Sequence, residues 1–139
     1  FVCKNVAINQ RHQRFMENFS AYNPTSIQFG KNCINSLGTD ASAFGKKALI
    51  LIGKGSVKKN GILEQVYQQL AAAGVDYELF EGIKSNPEYQ DADAAVAKAQ
   101  AFGADMIIAV GGGSVIDTAK AVCAGFYANH SVWEFYQGK

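Results

Sequence analysis

Histidine, proline and cysteine are all scarce in this chain of 139 residues, which carries two, two and three of them. His12 and His130 sit near opposite ends, at no metal-ligand spacing and beside no carboxylate cluster, so no histidine metal centre is indicated. His130 reads as a surface or capping residue near a helix end. Cys3, Cys33 and Cys123 are odd in number, widely spaced and form no C-x-x-C pair, which excludes a disulfide framework or zinc knuckle. A reducing, cytoplasmic setting is expected. No apolar run approaches the roughly 18 residues that a membrane-spanning helix needs. The formal charge is only +1, so nucleic acid held through bulk positive charge is excluded as well. No Ser-His-Asp or Cys-His arrangement is present, because Cys123 falls on the apolar stripe of a helix with no base nearby. No side chain is therefore assigned to catalysis.

What remains is an ordinary globular composition, 48% apolar, enough for one domain with a real core. Residues 1–15 show no clear periodicity and lack the 7 to 15 residue apolar core of a secretory signal. They are expected to be a lead-in, with an ordinary protein beginning at Met16 and forming one domain over 16–139, truncated at its end. From Lys46 onward the chain alternates strand and helix. "ALILI" (Ala48 to Ile52) is a buried strand, and Leu63, Val66, Tyr67 and Leu70 form a helical stripe that ends near a capping glycine, Gly74. "VDYELF" supplies a second strand. Ala92, Ala95, Val96, Ala99 and Phe102 give a second helix, and "MIIAV" (Met106 to Val110) a third strand. Ahead of these, "SIQFG" suits an outer strand and Ile34, Leu37, Ala41 and Phe44 a weaker helix. The alternation predicts an α/β, Rossmann-like, doubly wound and mainly parallel sheet with flanking helices.

Three consecutive glycines follow the third strand in "AVGGGSVIDTAK", and then Ile116, Ala119, Val122, Cys123 and Phe126 recur at helical spacing. Glycine costs conformational entropy on folding, so three together mark a sharp bend or the close approach of something else. The unit is strand, glycine loop, helix. It aims the unpaired N–H groups of a helix start, with the positive end of its dipole, at whatever lies above the strand, and a phosphate fits there. The first strand also ends in glycines, placing Gly53, Lys54, Gly55 and Ser56 at the same edge of the sheet. Ligands of open α/β sheets sit outside the carboxyl ends of the strands, so the two loops together suit one extended phosphorylated molecule such as a dinucleotide. The common fingerprint G-x-G-x-x-G fails, because Ile116 stands in the third glycine's place after Gly111 and Gly113. The triphosphatase loop G-x-x-x-x-G-K-[ST] is absent too.

Several of these residues carry two readings. Ser114 and Asp117 have the spacing of a capping box, and Ser114 also suits a phosphate oxygen. A carboxylate is repelled by diphosphate, so a functional Asp117 belongs with a ribose hydroxyl or an amide. Lys54, Lys58 and Lys59 are either a solvated face or, with Ser56 and no carboxylate in the loop, a seat for a ribose 2′-phosphate. Asn86 before Pro87 reads as a helix cap or as a cleft residue. Trp133, Phe135 and Tyr136 read as packing a chain end.

In "NPTSIQFG", "KALILIGKGSVKKNG", the "NPE" after the second strand and above all "GGGSVIDTAK", the chain from about Tyr22 onward resembles the N-terminal domain of the iron-containing alcohol dehydrogenases, particularly the butanol dehydrogenase and aldehyde reductase branch. The resemblance implies the cofactor half of an enzyme that moves a hydride between a nicotinamide dinucleotide and a small alcohol or aldehyde. It places Gly53, Lys54, Gly55, Ser56, Gly111, Gly112, Gly113 and Ser114 on the cofactor, with the last three at the pyrophosphate. Asp117 would lie on the nicotinamide side and Asn86 in the cleft wall. NAD-preferring members of the family have aspartate where Lys54 aligns, so NADP is expected in preference to NAD. The resemblance implies divalent iron or zinc and a homodimer in the complete enzyme. The resemblance places the family's metal ligands in a following all-helical domain, expected to be absent here, so none is assigned, and these residues alone are expected to be inactive. A non-catalytic nucleotide-binding module and an inactive gene fragment are the alternatives.

Overall fold

A computed structural model describes residue 20 and residues 22–138. Cys3, His12 and the expected lead-in over 1–15 lie outside the described residues. In chain order the elements are a 3-10 turn (Cys33–Ser36), α1 (Leu37–Ser42), β1 (Lys47–Gly53), α2 (Ser56–Lys59), α3 (Ile62–Ala72), β2 (Asp76–Ile83), α4 (Tyr89–Phe102), β3 (Met106–Val110), α5 (Gly113–Gly125) and α6 (Trp133–Tyr136). The strands form one sheet in the order β2-β1-β3, and both pairings are parallel.

β1 is the centre of the molecule, and Ala48, Leu49, Ile50, Leu51 and Ile52 are all at 0% exposure. Successive side chains of a strand point to opposite faces, so this unbroken apolar run needs cover on both. Ala48, Ile50 and Ile52 pack with Val57, Leu63, Val66 and Leu70 of α2 and α3. Leu49 and Leu51 pack with Ala92, Ala95 and Ala99 of α4 and Val115, Ala119 and Val122 of α5. The segment leaving β1 therefore goes to one face, and the segment leaving its neighbour β3 goes to the other. A crevice opens between them at the carboxyl end of the sheet, the arrangement at which open α/β sheets bind ligands.

Local signals set the boundaries. α3 stops as Gly74 takes φ 64°, which lets the Val75 amide donate to the Leu70 carbonyl and the Gly74 amide to that of Ala71. This pair of bonds closes a helix end around a left-handed glycine. At the opposite end of the sheet, one oxygen of Asp105 accepts the amides of Lys46 (2.7 Å) and Lys47 (3.0 Å) and ties the starts of β1 and β3 together. Tyr67 stacks on Tyr77 across α3 and β2, and burial, followed by the adjacent Tyr77, pushes the Tyr67 hydroxyl above the usual tyrosine pKa.

Two expectations are corrected. "SIQFG" forms no strand: residues 22–29 have no regular secondary structure, with Ile27 and Phe29 fully or nearly fully exposed, because no strand among the described residues pairs with them. Side-chain bonds, such as Gln28 Nε2 donating to Asp40, are what hold this segment. The buried stripe of α5 is Val115, Thr118, Ala119, Val122 and Gly125, rotated from the expected one; Ile116, Cys123 and Phe126 are only half-buried. Thr118 can be buried because its hydroxyl donates to the Ser114 carbonyl at 2.8 Å, which satisfies its polar group within the helix. After the loop that leaves β1, residues 56–59 close into the turn α2.

Because Leu51 is fully buried between β1 and the α4–α5 layer, Leu51→Ala should lower stability by about 2–5 kcal/mol. Urea unfolding would show this as a lower midpoint at an unchanged slope; a loss of less than about 1 kcal/mol would mean that this face is not tightly packed.

Candidate functional site

The crevice between the two diverging loops is a cleft of about 480 Å³. Gly53, Lys54, Gly55 and Ser56 line it from the end of β1, Lys59 from α2, Ile83, Lys84 and Ser85 from the end of β2, and Gly111 to Ser114 from the β3–α5 bend. No carboxylate is among the residues that line it. Lys58 is turned to an ion pair with Glu81, and Lys84 lies 3.4 Å from Glu88 and 3.9 Å from Asp91. Lys54 and Lys59 have no acidic partner among the described residues.

At the bend, the amides of Val115 and Ile116 turn back onto the Gly112 carbonyl at 3.0 and 3.2 Å, which opens α5. The amides of Gly112, Gly113 and Ser114 meet no protein acceptor among the described residues. They stand at the positive end of a 13-residue helix. Free donors, a helix dipole and unpaired lysines facing a cleft without carboxylates make a site for an anion.

The three glycines do different work. A Cβ on Gly111 would come within 2.7 Å of Val115 Cγ2, so this glycine lets the strand end lie against the first turn of α5. A Cβ on Gly112 or Gly113 would meet nothing within 4 Å, and neither residue has a positive φ. The fold itself does not require glycine at these two positions. They leave open a surface of bare backbone beside the cleft.

Ser114 and Asp117 do not form the expected capping box. The residue capping α5 is Gly112. The Ser114 hydroxyl donates to the Ser85 carbonyl at 2.6 Å, and Asp117 is exposed and paired with Lys120 at 3.0 Å. Asp117 also lies apart from the glycines. It borders a second hollow of about 490 Å³ with Thr118, Pro87, Tyr89, Trp133 and Tyr136. Asn86 is no helix cap either: α4 starts at Tyr89, and the Asp91 carboxylate accepts the Glu88 amide at 3.3 Å. Exposed Asn86 stands in the chain between Ser85, which lines the first cleft, and Pro87, which lines the second.

The structure thus gathers Gly53, Lys54, Gly55, Ser56, Gly111, Gly112, Gly113 and Ser114 in one cleft and sets Asp117 in the adjoining one. Lys84 and Ser85 were not anticipated. Their signal is positional, since they follow a parallel strand and must emerge at the same edge. Of the three aromatic residues expected to pack a chain end, Trp133 and Tyr136 wall the second hollow, with the Trp133 ring 5.5 Å from Tyr89 and 5.9 Å from Tyr136, while Phe135 packs edge-on against His130 at 4.9 Å.

A parallel sheet with a glycine bend and a free helix start at its crevice is the architecture of a nucleotide-binding α/β protein, and a family model settles which kind. Residues 24–139 match that of the iron-containing alcohol dehydrogenases, and the chain belongs to this family. It is 36% identical over 124 residues to a probable NADH-dependent butanol dehydrogenase of Bacillus subtilis, a match covering 89% of this chain and 32% of that protein. It is 39% identical over 124 residues to an NADPH-dependent aldehyde reductase of Escherichia coli, covering 88% of this chain and 31% of the relative. The crystal structure of an NADH-dependent butanol dehydrogenase from Thermotoga maritima superposes with a TM-score of 0.78 at 39% identity, over 86% of this chain and 30% of that one. The chain spans about a third of the length of the relatives it matches.

The residues present answer differently for the two groups that the family suggests. The open glycine backbone, the free amides and the lysines fit a dinucleotide phosphate. For iron, no three His, Cys, Asp or Glu side chains gather among the described residues, so these residues do not fit it.

The glycines yield a paired test. Gly113→Ala, whose Cβ enters open space, should leave stability within about 0.5 kcal/mol. Gly111→Ala, which meets Val115, should cost about 1–3 kcal/mol. Thermal unfolding of both variants checks this, and equal costs would contradict the division of roles.

Proposed function

We propose that the chain is the cofactor-binding part of an NAD(P)-dependent alcohol dehydrogenase or aldehyde reductase, acting on a small alcohol or aldehyde and forming a homodimer in the complete enzyme. The observation that carries the reading is the set of unfilled amides at Gly112, Gly113 and Ser114, at the point where the loops of β1 and β3 part. In this reading those amides hold the diphosphate. The loop Gly53–Ser56 takes the adenosine side, and Asp117 in the second hollow takes the nicotinamide side together with Asn86. The nicotinamide, when bound, gives or takes a hydride; the residues of this chain bind and orient it, and none is assigned to the chemical step.

NADP is the preferred cofactor in this reading. A 2′-phosphate on the adenosine ribose adds charge where Lys54 and Lys59 face the cleft without acidic partners and Ser56 offers a hydroxyl. The relatives include both NADH- and NADPH-dependent enzymes, so the choice rests on these side chains.

Titration of the chain with NADPH and NADH, followed by cofactor fluorescence, tests the reading. NADPH should bind more tightly. Lys54→Asp should reverse the order, weakening NADPH about tenfold or more through loss of one charge-assisted contact and gain of repulsion. Saturable binding of neither cofactor would overturn the proposal, and equal loss of both in Lys54→Asp would remove the 2′-phosphate assignment.

A further inference from the structure

Ser114 has both an amide and a hydroxyl at the anion cleft, and the structure separates their tasks. The amide is one of the free donors of the bend. The hydroxyl is committed: it donates to the Ser85 carbonyl at 2.6 Å, across 29 residues of sequence, and joins the first turn of α5 to the connection between β2 and α4. A hydroxyl has a single proton, so a bond given to Ser85 is not given to a phosphate oxygen. The carbonyl of the same serine accepts the buried Thr118 hydroxyl at 2.8 Å, which fixes Ser114 from the helix side. Ser85 lines the diphosphate cleft, Pro87 lines the second hollow, and exposed Asn86 lies between them. The stretch 85–87 is thus a strap between two cavities, and Ser114 holds one end of it down.

We infer that Ser114 is a positioning residue, whose hydroxyl latches the 85–87 strap so that a dinucleotide seated on the bend can reach from the first cleft into the second. This rests on the proposed cofactor reading. It follows that a ligand consisting of the diphosphate alone needs only the amides, whereas a dinucleotide also needs the strap in place.

The test compares inorganic pyrophosphate with NADPH. Ser114→Ala removes the hydroxyl and keeps the amide. It should bind pyrophosphate within about twofold of the unaltered chain and NADPH about three- to tenfold more weakly, the scale of one neutral hydrogen bond. Ser114→Thr, which restores a hydroxyl, should recover NADPH affinity. Without any ligand, amide hydrogen exchange over 84–88 should quicken in Ser114→Ala while the rest of α5 is unchanged. Parallel weakening of both ligands would make the hydroxyl a phosphate contact and overturn the inference, as would unchanged exchange over 84–88. If the unaltered chain binds neither ligand but exchange still quickens, the latch stands and the cofactor reading fails.

Discussion

The arrangement depends on a hydrogen-bonding deficit. A helix start leaves its first amides without intrahelical acceptors, and such groups are normally satisfied by a capping side chain or by water. α5 begins at a glycine with no side chain to cap it, so the amides of Gly112, Gly113 and Ser114 have no acceptor among the described residues. The rest of the fold holds this deficit in place. β1, buried on both faces, fixes β3 beside it in parallel register, and Gly111 lets the strand end run directly against Val115. Parting of the β1 and β3 connections to opposite faces keeps the bend from being covered by the sheet's own loops.

Electrostatics around the bend act in the same direction. The lining of the cleft has three lysines and no carboxylate. Acidic residues nearby are occupied elsewhere: Glu81 with Lys58, Glu88 and Asp91 with Lys84, and Asp117 with Lys120. Exposed pairs of this kind add little stability. Their effect here is on the field of the site, since they neutralise Lys58 and partly neutralise Lys84 while leaving Lys54 and Lys59 uncompensated. An anion of extended shape gains most from such a layout, with its charge divided between the helix start and the loop after β1.

The sequence made the fold legible where burial is two-sided. "ALILI" and "MIIAV" are apolar at every position, which an isolated amphipathic element does not need, and both are strands with the expected bounds to within a residue. Gly74 was readable as a helix end because left-handed backbone at that place has few other solutions. "SIQFG" was misread because alternation describes a strand only when an edge is there to pair with it, and pairing is not local information. The glycine bend and the loop after β1 were legible as one site from topology alone. The tasks of Ser114, Asp117 and Asn86 were not, because each fits a cap by spacing alone, whereas Ser114 bonds across to Ser85, Asp117 pairs along its own helix with Lys120, and α4 starts only at Tyr89. The α5 stripe erred for a related reason: Thr118 is polar by type and buried in fact, and the bond that permits this reaches the backbone of the preceding turn.

The most direct measurement is of the amides themselves. In a ¹⁵N-labelled sample titrated with NADPH, the backbone resonances of Gly112, Gly113 and Ser114 should show large, saturable downfield proton shifts as they acquire a phosphate acceptor, together with smaller changes at Gly55 and Ser56. Shifts confined to other parts of the chain, with these three amides unmoved at saturation, would contradict the claim that their unfilled hydrogen bonds hold the ligand.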